Sequence, residues 1–379
     1  MVMVILMGLL GFAALTVDVG AMYNVRADLQ RTADAAALAG ASAFTTDDMM
    51  RVRMGSGGGD VLAAVTSQAT SLALQYAGLN LSLGSSNSNV LSEDLVIGWL
   101  LLNNDTTEMI HTNPQPKDFN AVGITTRRSQ AVNGAHILTF ASLLGFSSTE
   151  LGARAVAVFD DRVSGLTVTD GATDIMPLSM GRAAFDQDLE AGGDQYSYDD
   201  TISSVNNTPD GIREIRVYPY PLSGSGYSEG DGNFGILNIG VGNQGVEAER
   251  VQIEYGTPPS DFELEIGTSQ LDFSIGGSSN SYDITGSPGL EATLETELAN
   301  RIGDIIGIFL HDGVMLSGAN ATYTITDVRF VRIMAVKLTG QPELRGVFVQ
   351  PVSYVGSEVQ INPDAPSSGG LVGRLTLAR

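Results

Sequence analysis

The first 17 residues, MVMVILMGLLGFAALTV, carry no charge and read as a single apolar helix. At about 1.5 Å per residue the run reaches roughly 25 Å, a little short of the ~30 Å apolar thickness of a bilayer. Ala21, Met22 and Tyr23 close that gap if Asp18 is tolerated at the membrane edge. The helix is predicted to continue through VGAMYNVRADLQRTADAAALAGASAF, because Ala and Leu dominate 33–43 and the first proline is Pro114. A helix over 1–44 would be roughly 65 Å long. Its first half is expected in lipid or against neighbouring helices, and its second half is expected to support a head domain.

Residues 45–59, ending in GSGGG, read as a flexible joint. Apolar positions recur at helical spacing over 60–77, with Asp60 as the N-cap candidate. Strand-like runs come next at Asp94–Leu102, Asn120–Arg127 and Leu151–Asp160, with a short apolar helix at Ile137–Leu144 before the last. This order predicts a small α+β domain over 60–160. Asp161–Asp174 reads as a polar connection. Beyond it, strands are expected at Ile175–Met180, Tyr196–Val205, Ile212–Tyr220, Asn233–Ile239, Phe262–Ile266, Gly307–Val314, Ala321–Thr339 and Arg345–Val352. Helices are expected at Val246–Tyr255 and Leu290–Ile306. The fold class is therefore α+β: a long apolar N-terminal helix over 1–44, a small α+β domain, then a larger mostly-β, sandwich-like domain with two helices over 175–379.

Composition narrows the chemistry. The 45 glycines and the 17% of charged residues favour a turn-rich β protein over a helical bundle. Acids outnumber bases 43 to 20, a formal charge of −23, which argues against nucleic acid as a partner. The excess suits a surface facing water or divalent cations. Without cysteine there is no disulfide and no thiolate ligand or nucleophile. His111, His136 and His311 stand in no ligand-spaced motif. The bunched carboxylates Asp186, Asp188, Glu190, Asp194, Asp199 and Asp200 are the candidate metal ligands, for Ca²⁺, although the EF-hand pattern is absent. Glu229-Gly230-Asp231-Gly232-Asn233 is a weaker candidate of the same kind.

Gly240-Val-Gly242-Asn-Gln-Gly245 matches G-x-G-x-x-G, with Glu263 at a ribose-binding distance beyond it. No β-α-β series surrounds it, so the glycines are read as a turn and no organic cofactor is expected. Nucleophile-elbow, HExxH and P-loop motifs are all missing, and the chain is not read as an enzyme. Trp99 is read as a core residue rather than a carbohydrate platform.

Val17-Asp18-Val19-Gly20-Ala21-Met22-Tyr23 and the later stretch LQRTADAAALAGA, from Leu29 to Ala41, carry a resemblance. Together they resemble the N-terminal signature of TadG-like proteins of the Tad, or tight-adherence, pilus system. Two further stretches are similar to what large TadG-like proteins carry. One is 118–160, with GITTRR, ILTFASLLGFSS and ARAVAV; the other is GNFGILNI at Gly232–Ile239. Ile5 departs from ordinary type IV pilins, which carry a Glu there, and the D-x-S-x-S metal site of some relatives is missing.

The resemblance implies a pilin-like structural subunit that waits in the inner membrane, then polymerises with copies of itself into a helical extracellular filament. Its domain over 60–160 would be a pilin-like head. Other pilus-assembly proteins would be its partners. The alternative is a membrane-anchored minor assembly or tip component, with an anchored exported enzyme as a distant third. The chain begins directly in an apolar run, so Met1 is expected to be a mature terminus left by removal of a basic leader. Met1, Gly8, Gly11 and Asp18 are the candidate assembly residues: the glycines for close helix approach, and Asp18 as partner of a neighbour's amino terminus.

Overall fold

The computed structural model describes residues 2–80, 90–101, 110–112, 114–169, 173–217, 234–240, 246–275, 278–288, 292–317, 320–341 and 345–378. The chain forms two compact units. The first is Met1–Phe44 with Gly59–Phe159 and Leu375–Arg379; the second is Thr45–Gly58 with Asp160–Arg374.

In the first unit, helix α1 (Val2–Ala41) runs for 40 residues, about 60 Å. Beyond Asp18 its buried positions are Val25, Leu29, Thr32, Ala33, Ala36, Ala37, Gly40 and Ala41, the three-and-four spacing of one helix face. Nearly all are small. The helix partner within this unit, Gly59–Leu79, buries Val65, Ala69, Ala73 and Ala77, again small and four apart. Two such faces let helix axes come close. Gly40 marks the tightest point: a Cβ there would stand 3.0 Å from Val122 Cγ1, 3.1 Å from the Ala69 carbonyl and 3.1 Å from Ala73 Cβ.

An antiparallel sheet completes the unit, in the order β1 (Leu95–Gly98), β2 (Ala121–Arg128) and, after the short strands β3 (His136–Ile137) and β4 (Ser148–Thr149), β5 (Leu151–Asp160). The central strand β2 is buried at all four of Ala121–Ile124, since it has strand neighbours on both edges and packs against α1. The Thr126 hydroxyl donates to the Leu29 carbonyl of α1 at 2.8 Å, tying sheet to helix. The expected helix at Ile137–Leu144 is a correction: His136–Ile137 pairs with Ser148–Thr149 as strand, leaving room for one 3-10 turn, Ala141–Leu144. Gly145, at φ +93°, ends that turn in the left-handed conformation a side chain would resist.

The second unit begins with α2 (Asp47–Arg53), where a flexible joint was expected. Two acids in its first turn and two arginines in its last complement the helix dipole, and Met49, Met50 and Val52 give it a buried face. After α3, the Gly59–Leu79 helix of the first unit, the chain re-enters the second unit at Asp160. Its strands are β6 (Val163–Thr167), β7 (Ile175–Gly181), β8 (Ser197–Asp199), β9 (Ser204–Asn206), β10 (Ile215–Val217), β11 (Phe234–Leu237), β12 (Gln270–Asp272), β13 (Ser274–Ile275), β14 (Ser278–Ser279) and β15 (Tyr282–Pro288). They continue as β16 (Ile305–Ser317), β17 (Asn320–Lys337), β18 (Gly346–Pro351), β19 (Tyr354–Val355), β20 (Val359–Ile361) and β21 (Val372–Ala378), which returns to the first unit at Leu375.

The main sheet has the order β10-β18-β17-β15-β11-β7-β16, and β16 also pairs with β17. The sheet therefore closes on itself, and a barrel replaces the expected sandwich. The physical reason is the length of β17. One of its edges pairs with β16 from Asn320 to Arg332, while the other serves β15 over Ala321–Ile325 and β18 over Val331–Lys337. Register shifts at Leu310, His311 and Gly313 bend β16 so that it also reaches β7, in parallel. Tyr323, Ile236, Leu178, Met180 and Phe309 are among the buried core residues. Gly235 makes way for Tyr323, whose hydroxyl a Cβ at 235 would overlap.

Helices α4 (Arg182–Ala191), α5 (Val246–Tyr255), α6 (Pro259–Ile266) and α7 (Glu295–Ala299) accompany these strands. Phe262–Ile266, expected as strand, lies in α6, which Pro259 opens and Gly267, at φ +79°, closes. Leu290–Ile306 shrinks to a 3-10 turn and α7, because Ile305 and Ile306 already belong to β16. Tyr196–Val205 is a hairpin of two short strands, and the expected polar connection 161–174 contains β6.

Among the described residues, no helix is long and apolar enough to cross a membrane. The side chains of residues 2–10, most of the apolar run, lie outside that description. The α1–α3 packing yields a prediction. Gly40→Val should destabilise the first unit by about 1–3 kcal/mol through overpacking, measured as a lowered thermal midpoint by circular dichroism. A midpoint equal to that of the natural chain would contradict this packing.

Candidate functional site

Asp18 comes directly after the uncharged run, yet only 3% of it is exposed. A buried carboxylate needs donors, and they come from 121 to 123 residues away. The Thr139 N–H donates to Oδ1 at 2.8 Å; the Phe140 and Ala141 N–H groups donate to Oδ2 at 2.9 and 2.6 Å. These amides open the 3-10 turn Ala141–Leu144, so Asp18 caps that turn from a distant helix. Burial pushes the Asp18 carboxyl up. The N–H groups of Ala141, Thr139 and Phe140, with His136 nearby, outweigh it and hold the group below its ordinary value. The contact is thus charged at neutral pH and weakens only as pH falls through that lowered value.

What Asp18 holds is a finger of chain. Between Arg128 and Glu150 no residue is Asp, Glu, Lys or Arg, in a protein of net charge −23. Asn133 (φ +62°) and Gly134 (φ +70°) turn the chain at the base, where Arg128 Nε donates to the Gly134 carbonyl at 3.2 Å. The β3–β4 pairing forms the stem. At the tip Leu143 is 83% exposed, Ile137 76% and Phe146 66%, with Phe140 also open. On α1, Phe12 is 75% exposed, and Leu15, Val17 and Val19 are exposed as well. The arrangement presents apolar surface from two segments fixed to each other by one carboxylate.

Of the other candidate assembly residues, Met1 lies outside the described residues, as do the surroundings of Gly8 on α1. Gly11 has nothing within 4 Å of where a Cβ would stand. Asp18 finds its partners within its own chain. Sequence reading marked Asp18 and the apolar stretch Ile137–Leu144 separately. The signal that joins them is the charge-free run from Ser129 to Thr149.

The carboxylates read as calcium ligands are dispersed. Asp186, Asp188 and Glu190 lie on α4. Asp188 accepts the Arg216 N–H at 2.9 Å, and Asp186, raised by burial, has Arg182 and Arg329 for neighbouring charges. Asp194 accepts the N–H groups of Asp210 and Gly211 at 3.0 and 2.8 Å, and Asp199 that of Thr201 at 2.9 Å. Asp200 stands 3.9 Å from Arg332. Among the described residues no three or more His, Asp or Glu gather as a metal-holding group. Glu229–Asn233 lies outside them.

Sequence reading missed Glu214. Its oxygens accept the Gln195 N–H at 2.7 Å and the Tyr196 N–H at 3.2 Å, and Gln350 Nε2 bridges it to Asp210 at 3.3 and 3.1 Å. Burial pushes its carboxyl up to about 7 against those backbone donors, with Asp194 and Asp210 adding to the rise. Ser179 Oγ and His311 Nδ1 are 2.7 Å apart, but both residues are buried in the barrel, where the pair joins β7 to β16. Gly240 has φ +70° and lies so close to Asp261 that a Cβ would overlap it. It comes after a strand antiparallel to both neighbours, unlike the parallel strand of a dinucleotide fold; 241–245 lie outside the described residues.

Two predictions arise from these carboxylates. Asp18→Asn should release the turn: hydrogen exchange at the Thr139, Phe140 and Ala141 amides should rise about tenfold or more while β2 and β5 amides hold. Unchanged exchange would contradict the latch. Glu214 binds its proton more tightly folded than unfolded, so its contribution to stability is full below its ordinary value of 4.5 and lost as pH rises to about 7. The thermal midpoint should fall through that window, and Glu214→Gln should flatten the fall. An equal slope in both proteins would count against the assignment.

No curated protein and no solved structure matches the chain. Residues 1–43 match a family model, Tad, described as putative Flp pilus-assembly TadE/G-like. The matched stretch takes in the uncharged run, Asp18 and the small-residue face that packs on α3. Over those 43 residues the chain is similar to the TadE/G-like proteins of Flp pilus assembly.

Proposed function

We propose that this chain is a structural, non-enzymatic component of a Tad-type pilus machine, anchored through the apolar start of α1 and facing the cell envelope or the exterior. The observation that carries this reading is the engagement of Asp18 inside its own chain. Pairing with a neighbour's amino terminus was the reason to make Asp18 an assembly contact, and both of its oxygens already have donors. The small face of α1 is likewise used within the unit, since Ala33, Ala36, Ala37 and Ala41 are fully buried. What is left for other molecules is the uncharged run 1–17 and the exposed residues beside it. An uncharged helix of that kind favours lipid over water.

Charge supports the same orientation. Ten acids and seven bases fall in the first unit, leaving 33 acids and 13 bases, a net of −20, on the second. An acidic body of this size belongs in water. Its partners would be other pilus-assembly proteins. In this reading Asp188, Asp194 and Asp199 serve as acceptors for backbone N–H groups and calcium has no part.

A second reading, polymerisation into the filament, is favoured by one observation: the same apolar run can be satisfied by neighbouring helices as well as by lipid. Shearing pili from cells and quantifying the chain by mass spectrometry separates the two. The anchored component should stay with the membrane fraction, at far below the copy number of the major subunit. Stoichiometric recovery in purified filaments would establish polymerisation instead.

A further inference from the structure

Resting on the anchored reading above, we infer that the finger Ser129–Thr149 is a second membrane contact: its tip enters the lipid surface beside the point where α1 leaves it. The position comes from Asp18. It fixes the finger to α1 one residue after the uncharged run ends, and Leu15 and Phe12 lie only about 4.5 and 9 Å back along the helix. Ile137, Phe140, Leu143 and Phe146 are therefore exposed at the level where an anchored α1 passes from lipid to water.

The backbone of the finger distinguishes lipid from other occupants. Hydrocarbon tolerates peptide groups only if their hydrogen bonds are made internally, a demand that water does not impose. Between Leu138 and Phe146 seven N–H groups are given to acceptors in the chain. Thr139, Phe140 and Ala141 donate to Asp18, Leu138 to the Ser147 carbonyl, Leu143 to that of Phe140, Gly145 to that of Ser142, and Phe146 to that of Ala141. The Ser142 hydroxyl donates to the Thr139 carbonyl at 2.7 Å. Exposed apolar side chains thus sit on a tip where these seven amides are satisfied within the chain. The finger also carries no Asp, Glu, Lys or Arg, which removes the other obstacle. Asp18 is not exposed to the lipid it adjoins.

Tryptophan fluorescence tests this on the full chain, reconstituted in phosphatidylcholine vesicles with a minority of phosphatidylglycerol. The natural protein has one tryptophan, Trp99, whose signal is measured first and subtracted. Leu143→Trp and Phe146→Trp report on the finger at two exposed positions, so that one badly tolerated probe does not decide the matter. Phe12→Trp reports on α1. Both finger probes should emit to the blue and lose fluorescence when the acyl chains carry bromine. If Phe12→Trp is quenched while both finger probes emit as in water, the finger contact is overturned and the anchor stands. Blue emission without quenching, reversed by dilution in lipid, would show the tip seated on a second copy, which also overturns it. If no probe is quenched, the anchored reading falls together with the finger.

Discussion

A carboxylate at the end of an uncharged helical run must be solvated by something, and in this chain it is solvated by protein. Asp18 takes three backbone N–H groups from one turn of chain and ties that turn to the helix. The consequence is geometric. A helix that would otherwise meet its surroundings as a bare apolar rod acquires a neighbouring apolar finger at a fixed height. The 17 residues before Asp18 carry no charge, and the first charge on the helix is held by backbone donors of its own chain. Above Asp18, the buried face of α1 packs on α3 and the sheet mostly through small side chains.

The two units solve the problem of a turn-rich, acidic sequence differently. In the first, Ala and Gly allow helices and strands to approach until Gly40 is in contact with both α3 and β2. In the second, one 18-residue strand serves three partners and closes a barrel around Tyr323 and Phe309. Its carboxylates, which in sequence resemble an ion trap, are largely used to terminate turns and to accept single backbone donors.

Much of this was legible in the residues, and the failures have physical causes. The long helix can be read from its uncharged run and Ala/Leu-rich continuation, and the Val246–Tyr255 helix and most long strands from periodicity. Phe262–Ile266 misled because five residues of alternating character fit strand or helix, and only Pro259 and Gly267 decide between them. The barrel was hidden because closure depends on which strands share an edge of β17, a long-range fact with no local signature. Asp18 was recognised as unusual, but its donors are backbone amides, which every sequence contains. Glu214 gave no signal at all, since its partners Gln195, Tyr196 and Gln350 are ordinary residues scattered along the chain.

If the finger is tied where α1 passes from lipid to water, that crossing lies at Asp18 and can be located directly. Because the natural chain contains no cysteine, single cysteines can be placed along exposed positions of α1, spin-labelled, and compared in vesicles for access to oxygen and to a water-soluble nickel chelate. Labels at Phe12 and Leu15 should favour oxygen, and labels at Arg26 and Arg31 should favour nickel, with the crossover at Asp18. Preference for nickel along the whole helix, or a crossover well beyond Arg26, would contradict it.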